Sequence, residues 1–383
     1  MATPIDNHWL VRAREVAADV LGRHAGDVDR QARWPAESVE ALAQSGLLGL
    51  TIEGALGGAG EGPGMFAGVT RELAEQCAST AMIFVMHVCG AQTIAAAEGF
   101  AQRETVMRQA AAGKRLCTLA FSERGSRSHF WQPVSQATVE GDVYRLTADK
   151  SWVTSAGHAD SYIVSTRSVG REEPLATTIY HVERETPGLS VGAPFDGMGL
   201  RGNASSPMCL TDVALRDADR LCDEGQGFST MLNTVLPWFQ LGSAAVWLGV
   251  ARAATRGTRQ HLLAGRFEHL GQPLASLLNL RARLARMQAL VDVQEAFLGH
   301  VVARMEQPGP DTMLAVLESK AAAAEMALEV TDLAMRACGG AAFSRHLSVE
   351  RNFRDARAGS VMAPTTDVLY DLIAKSLLEM PLF

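Results

Sequence analysis

Apolar residues recur at helical spacing over both ends of the chain, while a central stretch alternates apolar with polar. The first helical region spans about 6–113. Within it, residues 8–27 carry apolar and charged positions at helical spacing. Pro35-Ala36-Glu37-Ser38 opens another helix with proline at a permitted first-turn position, and Ser45-Gly46 marks its end. A glycine-rich loop over 53–64, readable as a flexible connection, leads to helices over 65–77 and 78–97, the second apolar all round and so expected to be buried. From about 115 to 222 short strand-like runs take over, at 116–121, 136–139, 144–148, 161–166, 177–181, 189–191 and 208–213. Glu140-Gly141-Asp142 is a hairpin signal, and a short turn is expected between 144–148 and Ser151-Trp152-Val153-Thr154. The remainder is helical again, over 228–264, 273–306, 310–338 and 364–380, which suggests an antiparallel four-helix bundle. The expected fold class is therefore α+β and multidomain, divided as 1–114, 115–222 and 223–383.

Composition narrows the function classes. With 383 residues, 47% of them apolar, the chain can bury sizeable cores. A net charge of -7 without a basic run argues against nucleic acid as a partner. No window of 18 uninterrupted apolar residues occurs, and the first residues lack a secretory apolar segment, so a cytoplasmic protein without a membrane span is expected. The six cysteines are scattered with no metal-like spacing and read as buried thiols; the ten histidines form no ligand pairing, so no metal is expected. His87, alone on an apolar helix, reads as a satisfied core residue.

Candidate chemistry gathers in the β region. Two hydroxyls, Ser122 and Thr154, and one indole, Trp152, fall on neighbouring strands and would suit a flat, polar-edged cofactor. At these residues the sequence resembles the acyl-CoA dehydrogenase family, whose Thr/Ser-Glu-Pro-x-x-Gly-Ser loop and Lys-x-Trp-Ile-Thr strand surround a flavin ring. Ser122-Glu123-Arg124-Gly125-Ser126-Arg127-Ser128 matches the first, with Arg124 in place of proline, and Lys150-Ser151-Trp152-Val153-Thr154 the second. Met198-Gly199-Leu200-Arg201-Gly202 resembles the family's Met-Gly-x-Arg-Gly turn, and Cys338-Gly339-Gly340 followed by Arg354-Asp355-Ala356-Arg357 its C-terminal signature. The glycine pair is equally a natural helix C-cap. The resemblance covers nearly the whole chain and implies an N-terminal all-α domain, a central β-barrel and a C-terminal bundle. It further implies bound FAD, with FMN open, held by Phe121, Ser122, Trp152, Thr154, Arg266, Gly339, Gly340, Thr365 and Asp367. Ser128 and Gln240 would meet an acyl thioester, on coenzyme A or a carrier protein. Homodimers or homotetramers are implied, because the Gly-Gly pair of relatives serves a neighbouring subunit's cofactor.

Several positions depart from the family pattern. The catalytic glutamate of typical members falls nine residues after the arginine of Arg-Asp-Ala, which is Ala363 here; the alternative location on a bundle helix is Phe239. A thioester α-proton needs a positioned base at neutral pH, which leaves His129 and Asp367 as candidates. Leu278 and Asp367 also replace glutamines that typically serve the cofactor, and Arg266 sits in a segment one residue longer than usual. Three readings follow: an atypical acyl-thioester dehydrogenase or oxidase, with an electron-acceptor protein as a candidate partner; a monooxygenase of the same fold fed by a flavin reductase; or a non-redox binding descendant.

Overall fold

The computed structural model of the chain describes residues 8–173 and 175–383; the beginning of the first expected helix, near residue 6, lies outside them. Helices α1 (His8–Val16) and α2 (Gly22–Gln31) run on through a π turn at Ala17–Leu21. They are followed by α3 (Ala36–Gln44), α4 (Pro63–Ala74), α5 (Ala78–Ala95) and α6 (Arg103–Ala111). Pro35 caps α3 from outside rather than occupying its first turn. The glycine-rich loop is not a loose tether, since Ala59, Gly60 and Glu61 donate backbone hydrogen bonds to Gly49, Ile52 and Leu50.

The strands are β1 (Cys117–Ala120), β2 (Thr138–Glu140), β3 (Val143–Val153), β4 (Ser161–Arg167), β5 (Thr177–Glu183), β6 (Leu189–Val191) and β7 (Ser206–Leu215). They form two sheets, ordered β1-β4-β5 and β2-β3-β7-β6, rather than one continuous barrel ladder. Single bridges at Glu123–Lys150 and Gln136–Arg167 stitch the sheets together. The Gly141-Asp142 hairpin connects β2 to β3 as expected, with Glu140 paired to Val143. The expected turn before Ser151 is absent: β3 runs through it, and its register against β7 slips between Lys150 and Val153. That irregularity, with Trp152 at φ 56°, turns the indole outward.

The C-terminal part contains α7 (Gly227–Thr230), α8 (Leu236–Ala264), a two-stranded ribbon at Arg266–Phe267 and Gln272–Pro273, α9 (Leu278–Glu306), α10 (Thr312–Cys338), α11 (Gly340–Phe343), α12 (Val349–Val361) and α13 (Thr366–Leu377). Sequence periodicity missed α12, because its buried positions include Asn352 and Asp355, so the inward stripe is not apolar. One hydrophobic core runs through all three parts. Helix α5 and the run from Gly227 to Ala264 are apolar and long enough to cross a bilayer by composition, yet both are core helices. Four of the cysteines are buried as expected, whereas Cys209 and Cys222 are only half-buried.

His87 shows how the helical and β parts are joined. Its Nε2 donates to the Leu48 carbonyl at 2.8 Å, and its Nδ1 accepts from the Cys117 amide at 3.1 Å. Burial pushes its pKa down to about 4.

Candidate active site

A cleft of about 680 Å³ opens where the three parts meet. Its floor is apolar, from Met86, Leu119, Phe121, Val235 and Phe239. One wall is the loop after β1 with Ser122, Arg124, Arg127 and Ser128; another is the end of β3 with Ser151, Trp152 and Thr154. The loop after α12, with Met362, Ala363 and Thr365, closes the third side.

The wall is built on a buried ion pair. Glu123 lies beneath the loop, 5% exposed, with Lys150 Nζ at 2.6 Å. The carboxylate also accepts from the Val134 and Ser135 amides and the Ser135 hydroxyl, and Lys150 donates to the Ser165 carbonyl. Burial by itself would raise the pKa of Glu123; the lysine charge and these hydrogen bonds outweigh it and hold the pKa low. Both residues belong to the matched motifs, but their neighbours drew the functional reading. The pair anchors Ser122, whose carbonyl accepts from the Ser151 amide at 2.8 Å. Trp152 is 59% exposed and stacks on Phe195 at 4.1 Å, so it forms cleft wall and not core.

A second anchor joins the turn at 197–202 to α12. Asp355 Oδ1 accepts from the Leu200 amide at 2.7 Å. Arg354 pairs with Asp29 on α2 at 2.6 Å and donates to the Met198 carbonyl. A Cβ on Gly199 would lie 2.5 Å from the Arg354 carbonyl oxygen, so glycine is what permits this approach. Burial raises Asp355 to about 6. These motif residues brace the cleft and do not line a reaction centre.

A third anchor escaped the sequence reading. Lys320, fully buried on α10, donates to the carbonyls of Gly359, Met362 and Pro364 at 3.2, 2.9 and 2.7 Å. It staples the loop that carries Ala363. Burial lowers its pKa to about 7. A lone lysine inside a run of alanines and apolar residues is the signal that could have exposed it.

Of the residues expected at the site, Phe121, Ser122, Ser128, Trp152, Thr154, Phe239, Ala363 and Thr365 share the cleft. Thr365 also caps α13, accepting from the Val368 amide. Gln240 is not among the cleft's lining residues; it is fully buried, and its side-chain amide finds no partner among the described residues. His129 lines a different hollow, with Arg167 and Glu172, and Asp367 is exposed outside the cleft, so neither is placed to serve as its base. Arg266, Gly339 and Gly340 lie instead at one end of the bundle, where Leu262, Leu280 and Ala337 pack together beside the ribbon. Gly339, at φ 56°, caps α10, as the helix-cap reading had it.

The cleft offers the implied flavin a matching surface. Aromatic and hydroxyl groups face a cleft of adequate size, Ser122's hydroxyl has no partner among the described residues, and Thr154's has only Ser205 at 3.5 Å. The ring system fits; the residues expected at its distal half do not reach the same opening within one chain.

Comparison with known proteins agrees along the chain's length. Models of the acyl-CoA dehydrogenase N-terminal, middle and C-terminal domains match residues 7–114, 118–213 and 225–378. The "Probable acyl-CoA dehydrogenase YngJ" of Bacillus subtilis is 27% identical over 369 residues, covering 96% of each chain. The 3-sulfinopropanoyl-CoA desulfinase of Paraburkholderia xenovorans is 29% identical over 374 residues, covering 96% of this chain and 94% of its own. The structure of butyryl-CoA dehydrogenase from Megasphaera elsdenii superposes with a TM-score of 0.93 at 24% identity, covering 99% of each chain.

Proposed function

The chain belongs to the acyl-CoA dehydrogenase family, and we propose that it is a member whose chemistry proceeds without a glutamate base on the protein. It is an acyl-CoA dehydrogenase-like flavin oxidoreductase acting on acyl-CoA. The observation that carries the proposal is the cleft's content. Ala363 and Phe239 occupy the two glutamate positions, and Glu123, the carboxylate among the described lining residues, is locked beneath the wall by Lys150. A carboxylate held low by an adjacent ammonium is a poor proton acceptor.

A bound flavin supplies the hydride acceptor. Around it, Trp152 and Phe121 would pack on the ring, Ser122 and Thr154 would orient its heteroatoms, and the apolar floor would exclude water from the acyl chain. Ser128 would meet the thioester arm. We assign FAD rather than FMN because Gly339 and Gly340 offer open backbone at the bundle end, suited to the phosphates of a dinucleotide from a neighbouring copy. The division at 114 and 222 and a homodimer or homotetramer belong to the same reading. It is supported by exposed Leu263, Leu270, Leu278 and Phe343 around that bundle end.

The reaction is α,β-dehydrogenation in which, with no protein base in the cleft, the α-proton would pass slowly to water, or a variant that removes no α-proton; the desulfinase relative is named for a different reaction on an acyl-CoA. Anaerobic flavin bleaching by saturated acyl-CoAs is the test. Slow bleaching is expected, accelerated about 10²–10⁴-fold by Ala363→Glu. Rapid bleaching in the wild type that the substitution abolishes would overturn the missing-base reading. The same base-free cleft supports a second reading, oxygenation with reduced flavin from a partner reductase, marked by reductase-dependent oxygen uptake with no bleaching in either protein.

A further inference from the structure

The loop of Ser122 to Ser128 carries two arginines that the fold does not use. Arg124 and Arg127 both line the cleft, both are exposed, and neither has a hydrogen-bond or ion-pair partner among the described residues. The third lining arginine differs: Arg201 is neutralised by Asp196 at 2.7 Å and donates to the Asp29 carbonyl. Nearby Glu123 is committed to Lys150. Two guanidiniums on one turn repel each other, and in a chain of net charge -7 they form a local positive site at the cleft.

The loop is held firmly enough to aim them. Glu123 pins its start, the Ser126 hydroxyl bonds back to the Glu123 carbonyl, and Phe130 and Trp131 bury its far end. Arg127 adopts φ 48°, a left-handed conformation that costs energy in any residue with a Cβ and that glycine takes freely. A strained backbone that presents an unpaired charge into a cleft is a feature that packing does not explain.

We propose that Arg124 and Arg127 form an anion clamp, recognising a phosphate or carboxylate oxyanion on the bound thioester. Guanidinium forks suit either group through paired N–H donors. The clamp rests on the thioester reading above and deepens it by adding a charge requirement to the substrate. The phosphate would belong to the coenzyme arm, the carboxylate to the far end of the acyl group.

The test is calorimetric binding of unreactive thioethers to the flavin-loaded protein, so that turnover plays no part. Three probes separate the sources: S-butyl-CoA, S-butyl-pantetheine without phosphate, and S-(3-carboxypropyl)-pantetheine. Wild type should bind at least one anionic probe about tenfold or more tightly than the neutral one, with affinity falling as salt rises. Arg124→Gln/Arg127→Gln should erase that preference and its salt dependence while leaving S-butyl-pantetheine unchanged. Loss confined to S-butyl-CoA identifies phosphate; loss confined to the carboxylated probe identifies carboxylate. Arg127→Gly, which keeps the backbone and removes the charge, should weaken the same probe. Equal binding of all probes by wild type and double variant overturns the clamp and leaves the thioester reading standing. Failure of folded wild type to bind any thioether overturns both. Wild-type affinity in Arg127→Gly overturns the role of Arg127.

Discussion

At the scale of single residues, buried charges hold the cleft in shape. Lys150→Met would leave Glu123 buried without its counter-ion, and loss of one member of such a pair costs about 3–5 kcal/mol. Glu123→Gln/Lys150→Met should recover part of that loss; chemical denaturation of the three proteins measures it. Protonation acts with mixed signs. Burial pushes both His87 and His181 down to about 4, so between roughly 4 and 6.5 the unfolded chain binds more protons at these sites. Their contribution is whole above that window and lost as pH falls through it. Asp355, raised to about 6 by burial, works the other way, since the folded chain takes its proton first. Two histidines against one carboxylate leave a net decline from pH 6.5 to 4, of order a few kcal/mol at about 1.4 kcal/mol per pH unit for one group. Denaturant midpoints across that range should fall; His87→Gln should flatten the decline.

At the scale of elements, α12 is the organising piece. It receives the 197–202 turn on one side, is clamped to α2 through Arg354–Asp29, and hands the chain to the loop stapled by Lys320. Gly199→Ala drives a methyl into the Arg354 carbonyl with no flexible side chain to yield. A loss of about 1–3 kcal/mol is expected, together with weaker flavin retention because the turn lines the cleft. Lys320→Met strips three carbonyls of their donor, at about 1–3 kcal/mol for buried groups left unsatisfied. Faster hydrogen exchange at the amides of 362–368, with little change in β3, would locate the effect in the loop; unchanged exchange there would refute the staple.

At the scale of the whole molecule, one core unites the helical and β parts, while the far end of the bundle leaves apolar side chains uncovered. Leu278 is 75% and Phe343 84% exposed, beside the Gly339-Gly340 backbone. Leu278→Asp/Phe343→Asp should shift the sedimentation of an oligomer toward monomer and lower flavin occupancy with it. A compact wild-type monomer with full flavin occupancy would remove the shared-site reading.

The sequence by itself determined the helix–strand–helix order, the hairpin at Gly141 and the meeting of Ser122, Trp152 and Thr154 at one wall. These depend on local period and on short motifs whose side chains face one way. His87 was legible as a core residue for the same reason: an apolar helix leaves a lone imidazole nothing else to do. Tertiary structure alone decided what each charged residue is for. Glu123 and Lys150 lie 27 positions apart in sequence and Arg354 and Asp29 325 apart, and neither partnership leaves a local trace. Helix α12 hid because its inward positions are polar, a pattern that makes sense only once Leu200 is there to donate to Asp355. Gln240, His129 and Asp367 were misplaced because motif distance along the chain does not say which side of a helix or loop faces the opening. Trp152 reaches the cleft through a slip in strand register, which the pairing of β3 with β7 imposes and alternation along one strand cannot show.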